Sequence, residues 1–340
     1  MDTKQEVTLK TIAKMANVSH TTVSRALNGS NLVKPDTKKR ITEIAERLGY
    51  VPNLNAKGLV TRRSFLVGIF FTDLSTGTSE SFLTDVVGQA RATLSKDYDL
   101  SINSTRNATS AQGLLRHNYD GIIVLSQSKL DDEFIERVKD QGFPLVVLNR
   151  NISRNDIPNF SINDFIGSKN IAEYAIRMGH TKFGIIQGPD FFESVTQRTN
   201  GFKAALEEHD LTIDDALIKR GDYRPKSGNV AMRQILTSGD IPTCVFCEND
   251  DMAVGAINAC KELGFQVPEE ISFIGYDDMA YAKYLVPGLT TVRKPTDVII
   301  KLGIEELMDL LDNEPENDAV RRKIIAPEII VRNSVSDRRV

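Results

Sequence analysis

Thr8-Leu9-Lys10-Thr11-Ile12-Ala13-Lys14-Met15-Ala16-Asn17-Val18-Ser19-His20-Thr21-Thr22-Val23-Ser24-Arg25-Ala26-Leu27-Asn28 reads as two short helices joined by a tight turn. Leu9, Ile12, Ala13 and Ala16 recur at three- and four-residue spacing, which marks one apolar face of a helix that Thr8 can cap. Asn17-Val18 interrupts the period, Ser19 can cap a second helix, and Val23, Ala26 and Leu27 turn its apolar side inward. The other side carries His20, Thr21, Thr22, Ser24 and Arg25, all able to hydrogen-bond. One helix across a backbone, a sharp turn and a second helix with polar residues at its exposed N-terminus is the helix-turn-helix geometry that reads a DNA major groove. On that geometry His20 and Thr21 face base edges and the planar fork of Arg25 suits guanine, whereas Thr22 and Ser24 suit phosphates. A third helix is expected after Pro35, with Ile41, Ile44, Ala45 and Leu48 as its stripe and Gly49 as a left-handed C-terminal cap.

Charge supports a polyanionic partner for this head. Residues 1–63 hold 12 basic and 5 acidic side chains, net +7, while the remaining chain holds 30 and 41, net −11. A basic head on an acidic body is the electrostatic footprint expected of a nucleic-acid binder. The 340 residues exceed one ordinary domain, and 41% apolar composition fills a real core. No apolar run approaches a bilayer's thickness, and the first residues lack a signal-peptide apolar block, so no membrane association and a cytoplasmic, nucleoid-associated location are expected. Cys244 and Cys247 have CxxC spacing, yet Thr243 to Cys247 reads as a strand, where residues three apart face opposite ways. Redox or metal chemistry at that pair is therefore disfavoured, and neither metal nor cofactor is expected.

Beyond a linker at 52–63, apolar runs alternate with helical segments. The clearest strands are Phe65 to Phe71, Gly121 to Leu125, Leu145 to Leu148, Phe183 to Gln187, Thr243 to Cys247 and Ile271 to Tyr276. Helices are expected over Asp164 to Met178, Thr199 to Glu208, Asp250 to Leu263 and Val298 to Leu311. Uninterrupted apolar strands between helices mean parallel sheets covered on both faces. Nearly 280 residues are too many for one such sheet. The expected fold is therefore α/β: an all-α helix-turn-helix head over 1–51, a hinge over 52–63, and a body over 64–340 of two doubly wound parallel sheets. Its subdomains are expected over 64–162 plus 294–323 and over 163–293 plus 324–340. Loops after the strands then line a cleft, which brings forward Thr72-Asp73, Arg150, Asn249-Asp250 and Asp277.

The quoted stretch, followed by Leu48-Gly49-Tyr50-Val51-Pro52-Asn53, closely resembles the lactose/galactose-repressor (LacI/GalR) family. Further segments that look like the family are Met178-Gly179-His180, Gly188-Pro189, Arg198 with Gly201-Phe202, Asn249-Asp250-Asp251-Met252-Ala253, Gly275-Tyr276-Asp277-Asp278 and Leu289-Thr290-Thr291-Val292. The resemblance spans essentially the whole chain. It implies a homodimer on palindromic operator DNA, contacted by Thr8, Ser19, Asn28 and Tyr50 besides the second-helix residues. It also implies a hinge helix that orders on DNA, starting at Asn53, with Ala56 at a small inward position and Leu59 as a minor-groove wedge. Gly58 departs from a good helix, since glycine there costs about 0.5–1 kcal/mol relative to alanine. For the body the resemblance implies a periplasmic-binding-protein-like clamp with Arg198, Asn249 and Asp277 at effector positions, and Tyr223 and Phe192 as aromatic faces beside the ligand. Asp250 and Asp278 read better as helix caps or supports.

The loop Asp73-Leu74-Ser75-Thr76-Gly77-Thr78-Ser79-Glu80-Ser81-Phe82 departs from the family's common Asn-Pro and aromatic pattern, and its smaller, more hydroxylated residues predict a roomier pocket, suited to a disaccharide or a longer saccharide. The expected function is a carbohydrate-operon repressor released by a sugar. A regulator activated by a purine-like corepressor or a phosphoprotein is the family alternative, and a non-regulatory sugar-binding protein is a further one. An enzyme is not expected: G-x-G-x-x-G, P-loop and G-x-S-x-G patterns are missing, and the four histidines lack metal-ligand spacing. The tail from Val331 is short and polar, without the leucine heptads of a tetramer-forming extension.

Overall fold

The computed structural model describes residues 7–27, 32–50, 63–107, 119–312 and 320–339. The chain divides into two units, Met1–Ser64 and Phe65–Val340. In the first, α1 (Leu9–Ala16), α2 (His20–Leu27) and α3 (Pro35–Arg47) form a small helical head. Thr8 and Thr11 close a reciprocal capping box on α1, and Ser19 Oγ accepts from the Thr22 backbone N at 3.1 Å at the start of α2. Asn17 takes a left-handed φ of 49°, which makes the turn. Ile12, Val23 and Ile41 are fully buried among Ala13, Ala16, Ala26 and Ala45. Burying each large aliphatic contributes roughly 1.5–3 kcal/mol, so three of them make a modest core. Gly49, at φ 63°, adopts the expected left-handed conformation.

The body is two six-stranded sheets. The first has the order β11-β5-β4-β3-β1-β2, from β1 (Leu66–Phe71), β2 (Asp99–Ser104), β3 (Gly121–Leu125), β4 (Leu145–Asn149), β5 (Asn159–Ile162) and β11 (Arg322–Ile325), all parallel. The second has the order β12-β10-β9-β8-β6-β7, from β6 (Phe183–Gln187), β7 (Ile218–Arg220), β8 (Cys244–Cys247), β9 (Ser272–Asp277), β10 (Thr290–Arg293) and β12 (Glu328–Ile330). Only β12 runs antiparallel, against β10. Helices α4 (Glu80–Thr93), α5 (Asp132–Asp140) and α10 (Thr296–Asp312) belong to the first sheet's part of the chain, and α6 (Asp164–Arg177), α7 (Glu193–Glu207), α8 (Pro225–Leu236) and α9 (Asp250–Glu262) to the second's. Each sheet has an apolar core on either face, as strands such as Gly121-Ile122-Ile123-Val124-Leu125 require. Cys244 lies in one of the second sheet's cores and Cys247 in the other, on opposite faces as strand geometry demands.

The chain passes between the sheets three times: after Ile162, after Arg293 and after Ile325. The third crossing falls beyond the expected boundary at 323, because β11 pairs with β5 as far as Ile325↔Ile162. α7 begins at Glu193, six residues before the expected start. Phe192, at its N-cap, makes no side-chain cap bond, so the sequence carries no start signal there. β9 runs through Asp277, which was expected to follow the strand. No helix among the described residues is long and apolar enough to cross a membrane.

Candidate functional site

Between the two sheets of the body lies a small polar cavity of about 20 Å³, walled by Gly77, Ser79, Phe82, Gln127 and Asn149 from the first subdomain and Ser194, Arg198, Tyr223, Asn249 and Asp277 from the second, with Lys294 at a crossing. It adjoins a space of about 190 Å³ that shares Gln127, Asn149 and Ser194 and adds Arg150. Four of the eight expected ligand residues, Arg198, Tyr223, Asn249 and Asp277, thus converge on the cavity, and Arg150 lines its neighbour. A larger space of about 1020 Å³ lies on the other side of Asp277 and Lys294, between Ser81, Thr84 and Asp85 of the first subdomain and Met279 and Tyr281 of the second. The 73–79 loop folds inward, with Gly77 against the Phe192 ring and the Ser75 carbonyl accepting from Arg224 across the cleft at 2.9 Å.

Thr72, Asp73 and Phe192 line neither space, and each is otherwise committed. The Thr72 hydroxyl donates to Asp131 at 2.6 Å and accepts from the Gln127 backbone at 2.9 Å. Asp73 accepts from Ser75 N at 2.8 Å and Ser75 Oγ at 2.7 Å, and pairs with Arg106 at 2.8 Å. Burial would raise its pKa, but the bonds from Ser75 and Thr76 and the Arg106 charge outweigh that and hold it below the ordinary value. Phe192 is fully buried and stacks on Tyr223 at 6.0 Å, so it props that ring from behind.

Arg198 is the centre of the site. Its Nε donates to Asp164 Oδ1 at 2.9 Å, one terminal nitrogen donates to the Glu248 carbonyl, and its plane lies 3.7 Å over the Tyr276 ring. Asp277 Oδ1 stands 3.7 Å away, and both carboxylates are as buried as the guanidinium. Arg198 and Asp277 belong to the same subdomain, on α7 and β9, so the pair does not bridge the cleft as an interdomain ion pair would. Burial pushes the Asp277 carboxyl up to about 6 against the pull of Arg198 and Lys294. Asp277 also holds a positive φ of 109°, a strained backbone for a residue with a Cβ. Asn249 caps α9 through a bond from Met252 N at 2.9 Å and donates to the Tyr223 carbonyl at 3.0 Å, so much of its capacity is structural. Asp250 accepts from Met279 N at 2.8 Å and Thr291 Oγ1 at 2.6 Å. Asp278 pairs with Arg293 and Arg332. Both act as supports, in line with the sequence reading.

Sequence reasoning missed Glu248, Asp164, Asn149 and Lys294. Glu248 accepts from Gly188 N at 2.9 Å and Thr199 Oγ1 at 2.7 Å, and burial pushes it up to about 7. Each missed residue lies at, or one to two positions beyond, the end of an apolar strand. That rule selects Arg150 and Asn249 and reaches Asn149 and Glu248 as well, whereas Asp164 and Lys294 follow β5 and β10, strands that the sequence pattern does not single out.

In the head, His20, Thr21 and Arg25 are exposed on α2, while Thr22 and Ser24 are half-buried. The Ser19 hydroxyl lies 2.8 Å from that of Thr22, and Thr8 is engaged in its capping box. Tyr50 packs against the head core. Asn28, Asn53, Ala56 and Leu59 lie outside the described residues, as does the hinge glycine, Gly58. Among the described residues no cluster of three His, Cys, Asp or Glu is placed to hold a metal ion.

Residues 8–53 match bacterial regulatory proteins of the lacI family, and residues 172–335 match a periplasmic binding protein-like domain. The chain is 44% identical over 330 residues to the probable HTH-type transcriptional repressor ExuR of Bacillus subtilis (strain 168), covering 97% of this chain and 98% of that protein. Among solved structures, a transcriptional regulator CelR–cellobiose complex is 25% identical with a TM-score of 0.67, over 96% of this chain and 99% of that one. A lac repressor dimer bound to operator and an anti-inducer is 23% identical with a TM-score of 0.79, over 98% and 100% of the respective chains, and shares the fold.

Proposed function

The chain belongs to the lacI family of bacterial regulatory proteins, and from that premise we propose that it is a transcriptional repressor that binds a palindromic operator as a dimer and is released by a sugar bound in the body cleft. The observation that carries the reading is the joining, in one chain, of an exposed reading edge, His20, Thr21 and Arg25, to a cleft where Arg198 and Asp277 converge with Tyr223 and Asn249. A carboxylate accepts from adjacent sugar hydroxyls and a guanidinium donates to them, so together they address a polyol. An aromatic ring backed by Phe192 offers the apolar face that a pyranose presents. Tyr223 stands at φ 68° with Gly188 beneath it, where any Cβ would strike the ring at 2.2 Å, so its placement is built in.

Closure of the cleft is already supported by contacts between the subdomains: Arg224 to the Ser75 carbonyl, and Ser81 to Asp251 at 3.0 Å. A ligand that favours one degree of closure shifts the population of body states. The test is selection of an operator from a random duplex pool with the purified full chain, followed by titration of that complex with a panel of sugars. Release by one class of sugar is the expected outcome. Operator binding unchanged by every ligand tested would leave an unregulated DNA-binding protein, and tighter binding would point to corepression.

A further inference from the structure

Residues 75–78 close one side of the cavity without belonging to a helix or a strand. Ser75 and Thr76 are exposed while Gly77 and Thr78 are buried, so the segment turns one face to solvent and the other to the cleft. Its ends are anchored on the first subdomain. Asp73 Oδ1 accepts from Ser75 N, Ser75 Oγ and Thr76 N at 2.8, 2.7 and 3.2 Å, and Ser79 Oγ, at the start of α4, accepts from Phe82 N at 3.2 Å. Its middle is gripped by the second subdomain. Arg224 reaches across to donate to the Ser75 carbonyl at 2.9 Å, and Gly77, at φ 85°, lies so close to the Phe192 ring that a Cβ would stand 2.4 Å from it. Beside them Arg106, paired with Asp73 at 2.8 Å, places its guanidinium 5.0 Å from the centre of the Phe191 ring.

A ligand site of ordinary size occupies about 300–1,000 Å³. The cavity holds about 20 Å³, so one of its walls has to withdraw before a ligand enters. Phe82, Asn149, Arg198 and Asp277 stand on α4, β4, α7 and β9, where displacement would disturb a packed core. Gln127 is tied through its backbone to Thr72 and Glu193. Residues 75–78, in contrast, can leave by giving up the Arg224 bond and the Gly77 contact, with rotation absorbed at a few loop positions. We propose that residues 75–78 form a lid over the body cleft, with Arg224 as its catch and Arg106 on Phe191 as a second clasp beside it. The proposal rests on the ligand-switched reading above and adds a route: the ligand enters and leaves when the lid lifts, without the whole subdomains having to part. Gly77 is part of the device, because a side chain at that position would strike Phe192 and hold the lid ajar.

The experiment is alkylation by iodoacetamide, followed by mass spectrometry, of the full-length protein carrying either Thr78→Cys, on the inner face of the lid, or Ser194→Cys, in the cavity wall. Cys244, Cys247 and Cys260 are fully buried and serve in every sample as the clock for global unfolding. In both backgrounds the introduced thiol is expected to react faster than these three. Arg224→Ala is expected to speed its labelling about 2- to 12-fold, the worth of one net hydrogen bond, and Arg106→Ala about 2- to 5-fold, the worth of an exposed cation–π contact. Ser81→Ala, which removes a contact across the cleft outside the lid, is expected to leave both rates unchanged. Acceleration by Ser81→Ala equal to that by Arg224→Ala would show whole subdomains parting and overturn the lid. Thr78→Cys labelled no faster than the native cysteines would overturn it as well, and so would Ser194→Cys labelled at a rate indifferent to Arg224, which would place the entrance in a neighbouring space. No sugar enters this measurement, so a lid that fails leaves the sugar-switched repressor standing, and a sugar panel that fails leaves the lid.

Discussion

Glu248 follows β8 and Asp277 ends the neighbouring parallel strand β9, and burial raises both carboxyl groups, to about 7 and about 6. For Glu248 the consequence for stability has a definite sign. Between about pH 4.5 and 7 the folded chain keeps a proton that the unfolded chain has released, so this group's contribution to stability falls as pH rises through that window. The loss is on the order of 2–3 kcal/mol by 1.36 kcal/mol per pH unit. Glu248→Gln keeps an acceptor for Gly188 N and removes the titration. The stability difference between wild type and this variant, followed by urea unfolding from pH 4.5 to 7.5, is expected to move against the wild type as pH rises, and a flat difference would contradict the assignment. Single residues decide the DNA face as well. Arg25 is exposed on α2, and a bidentate arginine to guanine is worth roughly 1–3 kcal/mol of discrimination. Arg25→Ala is therefore expected to weaken operator binding by about 5- to 150-fold and random-DNA binding far less. Equal losses on both in a fluorescence titration would reassign Arg25 to the phosphates.

At the scale of elements, helix packing sets demands that propensity does not reveal. Gly255 lies within α9, where glycine costs up to about 1 kcal/mol relative to alanine. A Cβ there would stand 1.7 Å from the Pro225 carbonyl oxygen at the start of α8, so the two helices meet backbone to backbone. Gly255→Ala is accordingly expected to destabilise the body by a few kcal/mol despite its better helix propensity. A raised melting temperature would show that α8 moves aside freely. The same contrast explains what the sequence made legible. Thr8, Ser19 and Gly49 announce helix ends through their own chemistry, and runs such as Leu145-Val146-Val147-Leu148 announce buried strands through apolar content, so the head and both sheets could be read. Asp164, Glu248 and Lys294 matter because strands distant in sequence bring them beside Arg198. Local pattern says nothing of that meeting. Thr72 and Asp73 show the converse: they follow a strand as ligand residues do, yet Asp131 and Ser75 claim them first. The start of α7 escaped for a third reason, since Phe192 gives it no side-chain cap.

For the whole molecule, two reading heads on a palindrome require two-fold symmetry, so the species on DNA is expected to be a dimer. Sedimentation of the complex on an intact operator checks this, and a monomer bound at full affinity to a half-site would defeat it. Regulation adds a stricter requirement. A ligand changes operator affinity only if the body states that favour and disfavour DNA bind it unequally. By linkage, a sugar that weakens operator binding by a given factor is itself bound more weakly by the DNA complex by that same factor, typically 5- to 150-fold, or 1–3 kcal/mol. Arg198 and Asp277 sit on one subdomain, so the ligand must take its opposing contacts from Asn149, Gln127 or the 73–79 loop to distinguish open from closed. Asp277→Ala removes an anchor on one wall and is expected to lower sugar affinity at least tenfold, with loss of the sugar's effect on DNA at concentrations that saturate the wild type. Ser81→Ala removes a contact across the cleft, to Asp251, without touching the cavity wall. It is expected to change the coupling factor more than the intrinsic sugar affinity. Calorimetry on free and operator-bound protein measures both quantities. Sugar affinity left unchanged by Asp277→Ala, in a protein whose operator affinity still responds to that sugar, would rule out the cleft as the switch.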